Sequence, residues 1–104
     1  MTIQINTDKN LIVEKRSCDF FTSQINKALH RFETHITRIE VHLKDENAKK
    51  DGFHDISCVL EARLEGRQPI AVTNQADTID LALAGAIDKI KAAVETILGK
   101  IQQH

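Results

Sequence analysis

The 104-residue sequence predicts an α+β fold in which the elements follow the order β-α-β-β-β-α. Two observations carry this prediction. The spacing of apolar residues changes along the chain between a period of two and steps of three and four, and a Gly-Arg-Gln-Pro turn separates the last two strand-like runs. We expect one domain over residues 1–104, with a four-stranded sheet and both helices on one face.

The first strand and the first helix lie near the N-terminus. The segment TIQIN alternates Ile3 and Ile5 with polar residues, which is typical of a half-buried strand. Apolar residues then recur at helical steps over residues 17–32, so we predict an amphipathic helix that starts as early as Glu14. Strand-helix-strand connections are right-handed crossovers, and strands one and two are therefore expected to be parallel.

The two middle strands return to a period of two. ITRIEVHLK, residues 36–44, has apolar residues on one face and charged residues on the other, and DISCVLEARLE, residues 55–65, repeats that pattern. Between them lies the polar segment DENAKKDGFH, residues 45–54, which is longer than a hairpin usually needs. We interpret this connection as a candidate functional element.

A turn, a last strand and a long helix complete the predicted fold. After GRQP comes the strand IAVTN, and Pro69 at its entry suits a sheet edge because proline cannot donate to an interior ladder. Helical spacing then continues from about Asp77, with Asp77 or Thr78 as N-cap, which predicts a helix about 35 Å long. Two helices on the apolar face leave the charged face of the sheet open.

Composition restricts the class of protein. The sequence has 14 Lys and Arg against 15 Asp and Glu, so any RNA binding has to come from local clusters rather than from net charge. The only cysteines, Cys18 and Cys58, form no CxxC motif, and the N-terminus lacks the pattern of a secretory signal. Apolar runs stay below the ~20 residues of a membrane helix. We therefore expect a soluble, reduced, cytoplasmic protein without a membrane partner.

The sequence offers no constellation of residues for catalysis. Its five histidines form neither HExxH nor a zinc spacing with cysteine, and His42 and His54, which could approach each other, lack a third ligand. Cys58 falls on an inward strand position, and Cys18 has no neighbouring base in sequence. Phosphate-loop and nucleophile-elbow motifs are absent. We predict no enzyme activity, metal site, cofactor or small-molecule substrate.

Small groups of cations remain as candidate binding residues, because each Lys or Arg that meets a phosphate displaces counterions and adds affinity. They are Lys27 and Arg31 on the exposed stripe of the first helix, Lys89 and Lys100 on one flank of the last helix, Lys91 on its other flank, and Arg38, Lys44, Arg63 and Arg67 on the sheet. The alternative for each is ordinary solvated surface. On the sheet, the simplest expectation pairs Glu40, Glu61 and Glu65 with Arg38, Arg63 and Arg67.

Several segments together resemble one known family. The element order, ITRIEVHL before a polar loop, ARLEGRQPIAVTNQADT, and GAIDKIKAAVETILGKI in the last helix are similar to short members of the ribosome hibernation-promoting factor and ribosome-associated inhibitor A family. The resemblance implies a fold like a double-stranded-RNA-binding domain with an added first strand. It also implies a protein that binds small-subunit rRNA and sterically blocks the mRNA and tRNA channel under stress or in stationary phase.

The resemblance also implies which residues bind rRNA phosphates. The family presents a basic row on its last helix, of which Lys89 and Lys100 remain, and Lys27 and Arg31 lie near its basic positions on the first helix. Ala92 and Thr96 stand where further basic residues are expected, and Asp80 stands where the family often has tyrosine.

A second hypothesis keeps the fold and changes the partner. The near-neutral charge is consistent with a protein-interaction module that has lost rRNA binding. Such a module would use an unpaired strand edge or the mixed-charge sheet face for a protein partner or for a homodimer.

Overall fold

The structure of the chain is a computed structural model that describes residues 1–9, 11–46 and 55–102, with side chains described through Gly99. Its strands are β1 (Thr2–Thr7), β2 (Ile36–Asp45), β3 (Ile56–Leu64) and β4 (Ile70–Ala76), and its helices are α1 (Lys15–Leu29) and α2 (Ile79–Gln102). This order confirms the predicted α+β class. Most of the predicted polar connection, residues 47–54, lies outside the described residues.

The end of the first helix differs from the prediction. α1 begins at Lys15, within the predicted limits, but regular α-helix stops at Leu29, and residues His30–Phe32 form a short 3₁₀ turn. The Phe32 side chain in this turn is completely buried. A 3₁₀ turn is tighter than an α-helical turn, which explains how a residue that continues the apolar pattern of α1 can leave the α-helical path and still reach the core.

The sheet has the strand order β1-β2-β3-β4, so β1 and β4 are its two edges. β1 is parallel to β2, as the right-handed crossover predicted, and the other two pairs are antiparallel. Val41 of β2 is aligned with Ile5 of β1 on one side and with Leu60 of β3 on the other. The edge position of the strand that follows Pro69 is confirmed.

The core lies between one face of the sheet and the two helices. Phe21 and Ile25 of α1 and Leu83, Ile90 and Val94 of α2 are buried there against the apolar side chains of β2 and β3. Because apolar side chains alternate with polar ones along β2, the opposite face of the sheet carries the charged residues. No helix in the described part of the chain is long and apolar enough to cross a membrane.

Two contacts fix the beginning of α2. The backbone N–H of Leu81 donates to Thr78 Oγ1 at 3.1 Å, so Thr78 is the N-cap among the two candidates, and Asp80 lies in the first turn, where an acid is favourable. From β4, the amide of Asn74 donates to the carbonyls of Leu81 and Ala82 at 3.4 and 3.1 Å. Gly85 permits this approach, because a Cβ at that position would overlap the Asn74 amide.

Candidate nucleic-acid interface

The open face of the sheet carries a compact group of two arginines and two glutamates. The register places Arg38 opposite Arg63 and Glu40 opposite Glu61, and directly opposed like charges repel. Contacts with oppositely charged neighbours offset this repulsion. Along β3, Arg63 donates to Glu61 at 3.0 Å, and across the strands it donates to Glu40 at 3.2 Å; along β2, Arg38 lies 3.6 Å from Glu40. The hydrogen bond to Glu61 and the charge of Glu40 raise the pKa of Arg63. The group is therefore neutral overall.

The remaining sheet cations, Lys44 and Arg67, differ in whether a carboxylate lies near them. Lys44 lies 3.9 Å from Glu46, and Arg38 also donates to the side-chain oxygen of Gln4 on β1. Arg67, in the turn between β3 and β4, has no ion pair among the described residues, so its expected pairing with Glu65 is wrong. That turn keeps both side chains exposed. The expected pairing of Glu40 and Glu61 with Arg38 and Arg63 is confirmed.

Lys27, Arg31 and Lys91, which lie on the helix side, have no carboxylate within 4.0 Å in the described part of the chain. Lys27 of α1 lines a groove of about 340 Å³ between the two helices, together with Ile87 and Asp88 of α2. Lys91 lies one helical turn beyond these α2 residues and is exposed. The Arg31 guanidinium lies 4.9 Å from the centre of the Phe32 ring. This cation–π contact favours one orientation of the guanidinium plane.

We name Lys27, Arg31 and Lys91 the helix-groove cluster. Lys27 and Arg31 follow each other on one side of the first helical segment, and Lys91 continues the α2 stripe that faces the same groove. Asp88 is the one acid that lines the groove. Cations that have not been neutralised by a fixed carboxylate are free to exchange their counterions for phosphates. This cluster is therefore the candidate anionic-polymer site of the described residues.

Lys89 points away from the helix-groove cluster. Its ammonium donates to the backbone carbonyl of Thr73 at 2.8 Å, on the outer edge of β4. Lys89 and Lys91 therefore occupy opposite flanks of α2, as the helical spacing predicted. The contact has a second effect, because it satisfies one of the free edge carbonyls of the sheet.

In the second half of α2, two positions where the family resemblance implies basic residues are uncharged. Ala92 and Thr96 are exposed, and the Thr96 hydroxyl donates back to the Ala92 carbonyl at 2.9 Å. The backbone of Lys100 belongs to α2, but its side chain lies outside the described side chains. The basic row that the resemblance implies is thus interrupted in the middle of the helix.

The metal-binding and nucleophilic side chains considered from sequence can be placed in part. Among residues 1–9, 11–46 and 55–102 there is no group of three or more side chains that could hold a metal ion. His54, half of the pair considered from sequence, lies outside the described residues. Cys58 is completely buried, and desolvation raises the pKa of its thiol to about 12. It is therefore a poor nucleophile at neutral pH.

Sequence reasoning missed three partners of the cations. Gln4 accepts from Arg38, Thr73 accepts from Lys89, and the Phe32 ring lies under Arg31. The first two depend on strand register and on the rotation of α2 about its axis, which no local pattern reports. The contact between Arg31 and the Phe32 ring could have been predicted, because the two residues are adjacent in sequence.

A family model described as sigma 54 modulation protein / S30EA ribosomal protein matches residues 3–102, which is nearly the whole chain. The chain belongs to this family. The sigma 54 modulation protein / S30EA ribosomal protein family consists of ribosome-associated hibernation and modulation factors, which confirms the resemblance and the coarse function that it implied. It is not known as a family of enzymes.

Two solved structures share the fold with this family member. The N-terminal domain of Protein Y from Thermus thermophilus superposes with a TM-score of 0.75 at 15% identity, covering 93% of this chain and 99% of that one. A ribosomal subunit interface protein from Coxiella burnetii gives 0.73 at 14% identity, covering 95% and 99%. At these identities the likeness shows the fold alone. A search of the curated proteins finds no significant match.

Proposed function

We propose that this protein binds small-subunit ribosomal RNA through its helix side and blocks the mRNA and tRNA channel under stress or in stationary phase. One observation carries the choice of surface. Arg38, Lys44 and Arg63 on the sheet each have a carboxylate within 4.0 Å, whereas Lys27, Arg31 and Lys91 have none among the described residues. Phosphates would have to compete with those carboxylates on the sheet, but not at the helix-groove cluster.

The remaining cations take secondary roles in this proposal. Lys100 would extend the basic surface along α2, and Arg67 would add an unpaired charge beside the β3–β4 turn. Lys89 is already bonded to Thr73, so it would have to release that carbonyl before contacting a phosphate. The mechanism is steric: the bound protein occupies the space of tRNA, and no bond is made or broken. A ribosome-bound protein of this kind would act in the cytoplasm.

Two triple variants with the same charge change separate a specific surface from general electrostatics. The first replaces Lys27, Arg31 and Lys91 with glutamine, and the second replaces Arg38, Lys44 and Arg63 with glutamine. Each lowers the formal net charge of -1 by three. Co-sedimentation with small subunits would be measured over a series of salt concentrations.

We expect the first variant to lose affinity and to reduce the slope of log affinity against log salt by about 2 to 3, at roughly 0.9 per phosphate. The second variant should bind nearly as the wild type does. Equal losses in both variants would mean that net charge, and not this surface, controls binding. Failure of the wild type to sediment with small subunits even at low salt would refute the whole proposal.

A competition experiment tests whether the protein occupies the mRNA and tRNA channel. Small subunits loaded with mRNA and P-site tRNA should bind the protein much more weakly than empty subunits, because both ligands are proposed to use the same space. Equal binding to loaded and empty subunits would place the protein elsewhere on the ribosome.

A protein-interaction module is the second candidate, and the neutral Arg-Glu group on the sheet favours it. A surface on which cations and anions already satisfy each other is less suited to RNA than to a partner of mixed charge. Capture of a partner that survives RNase treatment, together with absence from ribosomal fractions, would favour this candidate.

A further inference from the structure

The two edges of the sheet differ in how well they are protected. On β4, Pro69 precedes the strand and Lys89 donates to the outward carbonyl of Thr73. Lysine and proline are among the residues with which natural proteins hinder strand addition at an edge. β1 has the sequence TIQINT, with no charge, no proline and no glycine. Among the described residues, β1 is therefore the edge more open to another strand.

The outward groups of β1 can be identified from one hydrogen bond. Asp8 N donates to the Leu43 carbonyl at 3.0 Å, and Thr7 is aligned with Leu43. In a parallel pair this arrangement means that the even-numbered residues of β1 bond to β2. The N–H and C=O groups of Ile3, Ile5 and Thr7 therefore point away from the sheet, and no backbone hydrogen bond within the described residues occupies them.

We propose that this edge pairs with the β1 strand of a second copy of the chain, in antiparallel orientation about a two-fold axis at Ile5. Centring the axis at Ile5 aligns Ile3 with Thr7 of the second copy and each Ile5 with the other. Outward-facing residues then meet outward-facing residues, and each pair exchanges two backbone hydrogen bonds. An axis between residues 4 and 5 would instead place inward-facing residues opposite outward-facing ones, and these pairs would exchange no backbone hydrogen bonds.

The side chains are self-complementary in the same register. Gln4 and Asn6 lie on the open face of the sheet, where Gln4 donates to Asn6 at 3.0 Å, and the dimer aligns Gln4 with Asn6 of the second copy. Ile3 and Ile5 are only half-buried in the single chain and lie on the helix side. Pairing of two uncharged strands brings no like charges together and covers these isoleucines. The result is a continuous eight-stranded sheet.

Proline variants on the two edges provide a matched test. Thr7→Pro removes an outward N–H of β1 at an exposed position, and Gln75→Pro removes an outward N–H of β4 at an exposed position. Neither donor takes part in the sheet of the single chain. Sedimentation equilibrium on the full chain without ribosomes should show a concentration-dependent dimer for the wild type and for Gln75→Pro, and a dissociation constant at least about tenfold higher for Thr7→Pro.

A charge test fixes the register. The double variant Gln4→Glu with Asn6→Glu places like charges opposite each other across the axis and should dissociate the dimer. Gln4→Glu with Asn6→Lys places opposite charges there and should preserve it, while Glu at position 4 keeps an acceptor for Arg38 in both variants. Far-UV circular dichroism confirms that each variant is folded.

Amide hydrogen exchange gives a test without substitution. The amides of Ile3, Ile5 and Thr7 should become protected as protein concentration rises, while those on the β4 edge should not change. A chain that remains monomeric at all concentrations, or a dimer in which Thr7→Pro has no effect, would overturn the proposal. This result is independent of ribosome binding, so either proposal can fail alone.

Discussion

Replacement of Gly85 by alanine tests the closest contact between α2 and the sheet. Glycine in the interior of a helix is about 1 kcal/mol less favourable than alanine, so the substitution would ordinarily stabilise the protein. Here the new Cβ would overlap the Asn74 amide nitrogen and lie 2.7 Å from its Cγ. Asn74 would have to withdraw from the carbonyls of Leu81 and Ala82, which it now bonds at 3.4 and 3.1 Å.

The magnitude follows from the two opposing effects. Loss of two hydrogen bonds costs about 1 to 3 kcal/mol, and an amide left without a partner in this half-buried position adds to that cost. Against a gain of about 1 kcal/mol, we expect Gly85→Ala to lower the free energy of unfolding by about 1 to 2 kcal/mol. In an Asn74→Ala background nothing blocks the Cβ, and the same substitution should stabilise by up to about 1 kcal/mol.

The assay is a double-mutant cycle measured by urea unfolding. Far-UV circular dichroism is the suitable signal, because the chain has no tryptophan and no tyrosine. We expect a coupling energy of about 2 to 3 kcal/mol between positions 74 and 85, well above the value for independent sites. Stabilisation by Gly85→Ala in the wild-type background, or a coupling near zero, would refute this account of the contact.

Three further predictions concern other parts of the fold. Burial raises the pKa of the Cys58 thiol from 9.0 to about 12, so the free energy of unfolding should lose about 1.4 kcal/mol per pH unit between pH 9.0 and about 12, and this loss should be absent below pH 9.0. In unfolding measured against pH, Cys58→Ala should flatten the decline. Thr78→Ala removes the N-cap of α2 and should cost about 1 kcal/mol in urea unfolding; an unchanged midpoint would contradict the cap. Arg63→Ala leaves Glu40 opposite Glu61 and should lower the melting temperature, most at low salt. Addition of Glu61→Gln should restore part of the loss. A melting temperature that does not depend on salt would argue against charge repulsion.

The paired sheet cations change how the family resemblance applies to this chain. Family membership concerns the whole chain, but the contacts of each cation are particular to this sequence. Arg38 and Arg63 are engaged by Glu40 and Glu61, and Lys89 by Thr73. Among the predicted cations whose side chains the structure describes, those without a fixed partner are the helix-groove cluster and Arg67. Binding that rests on so few cations should have a small salt slope, roughly 0.9 for each phosphate contact.

The sequence by itself determined the elements and their faces. Ile39 and its apolar neighbours two residues apart mark the buried side of β2, and the spacing through Leu83 and Ile90 marks that of α2, because side-chain direction repeats locally with the backbone. The parallel pairing of β1 and β2 followed from the helix that connects them as a crossover. The end of α1 was predicted less well, because apolar spacing does not distinguish an α-helical turn from a 3₁₀ turn.

Only the tertiary structure decided which polar groups meet. Glu40 and Arg63 are 23 residues apart and come together through strand register, and Lys89 reaches Thr73 through the rotation of α2 about its axis. Gly85 reads in sequence as a weak point in a helix, whereas in the fold it makes room for Asn74. Register and helix rotation are set by packing of the whole core, and a charge can be judged free or neutralised only after that packing is known.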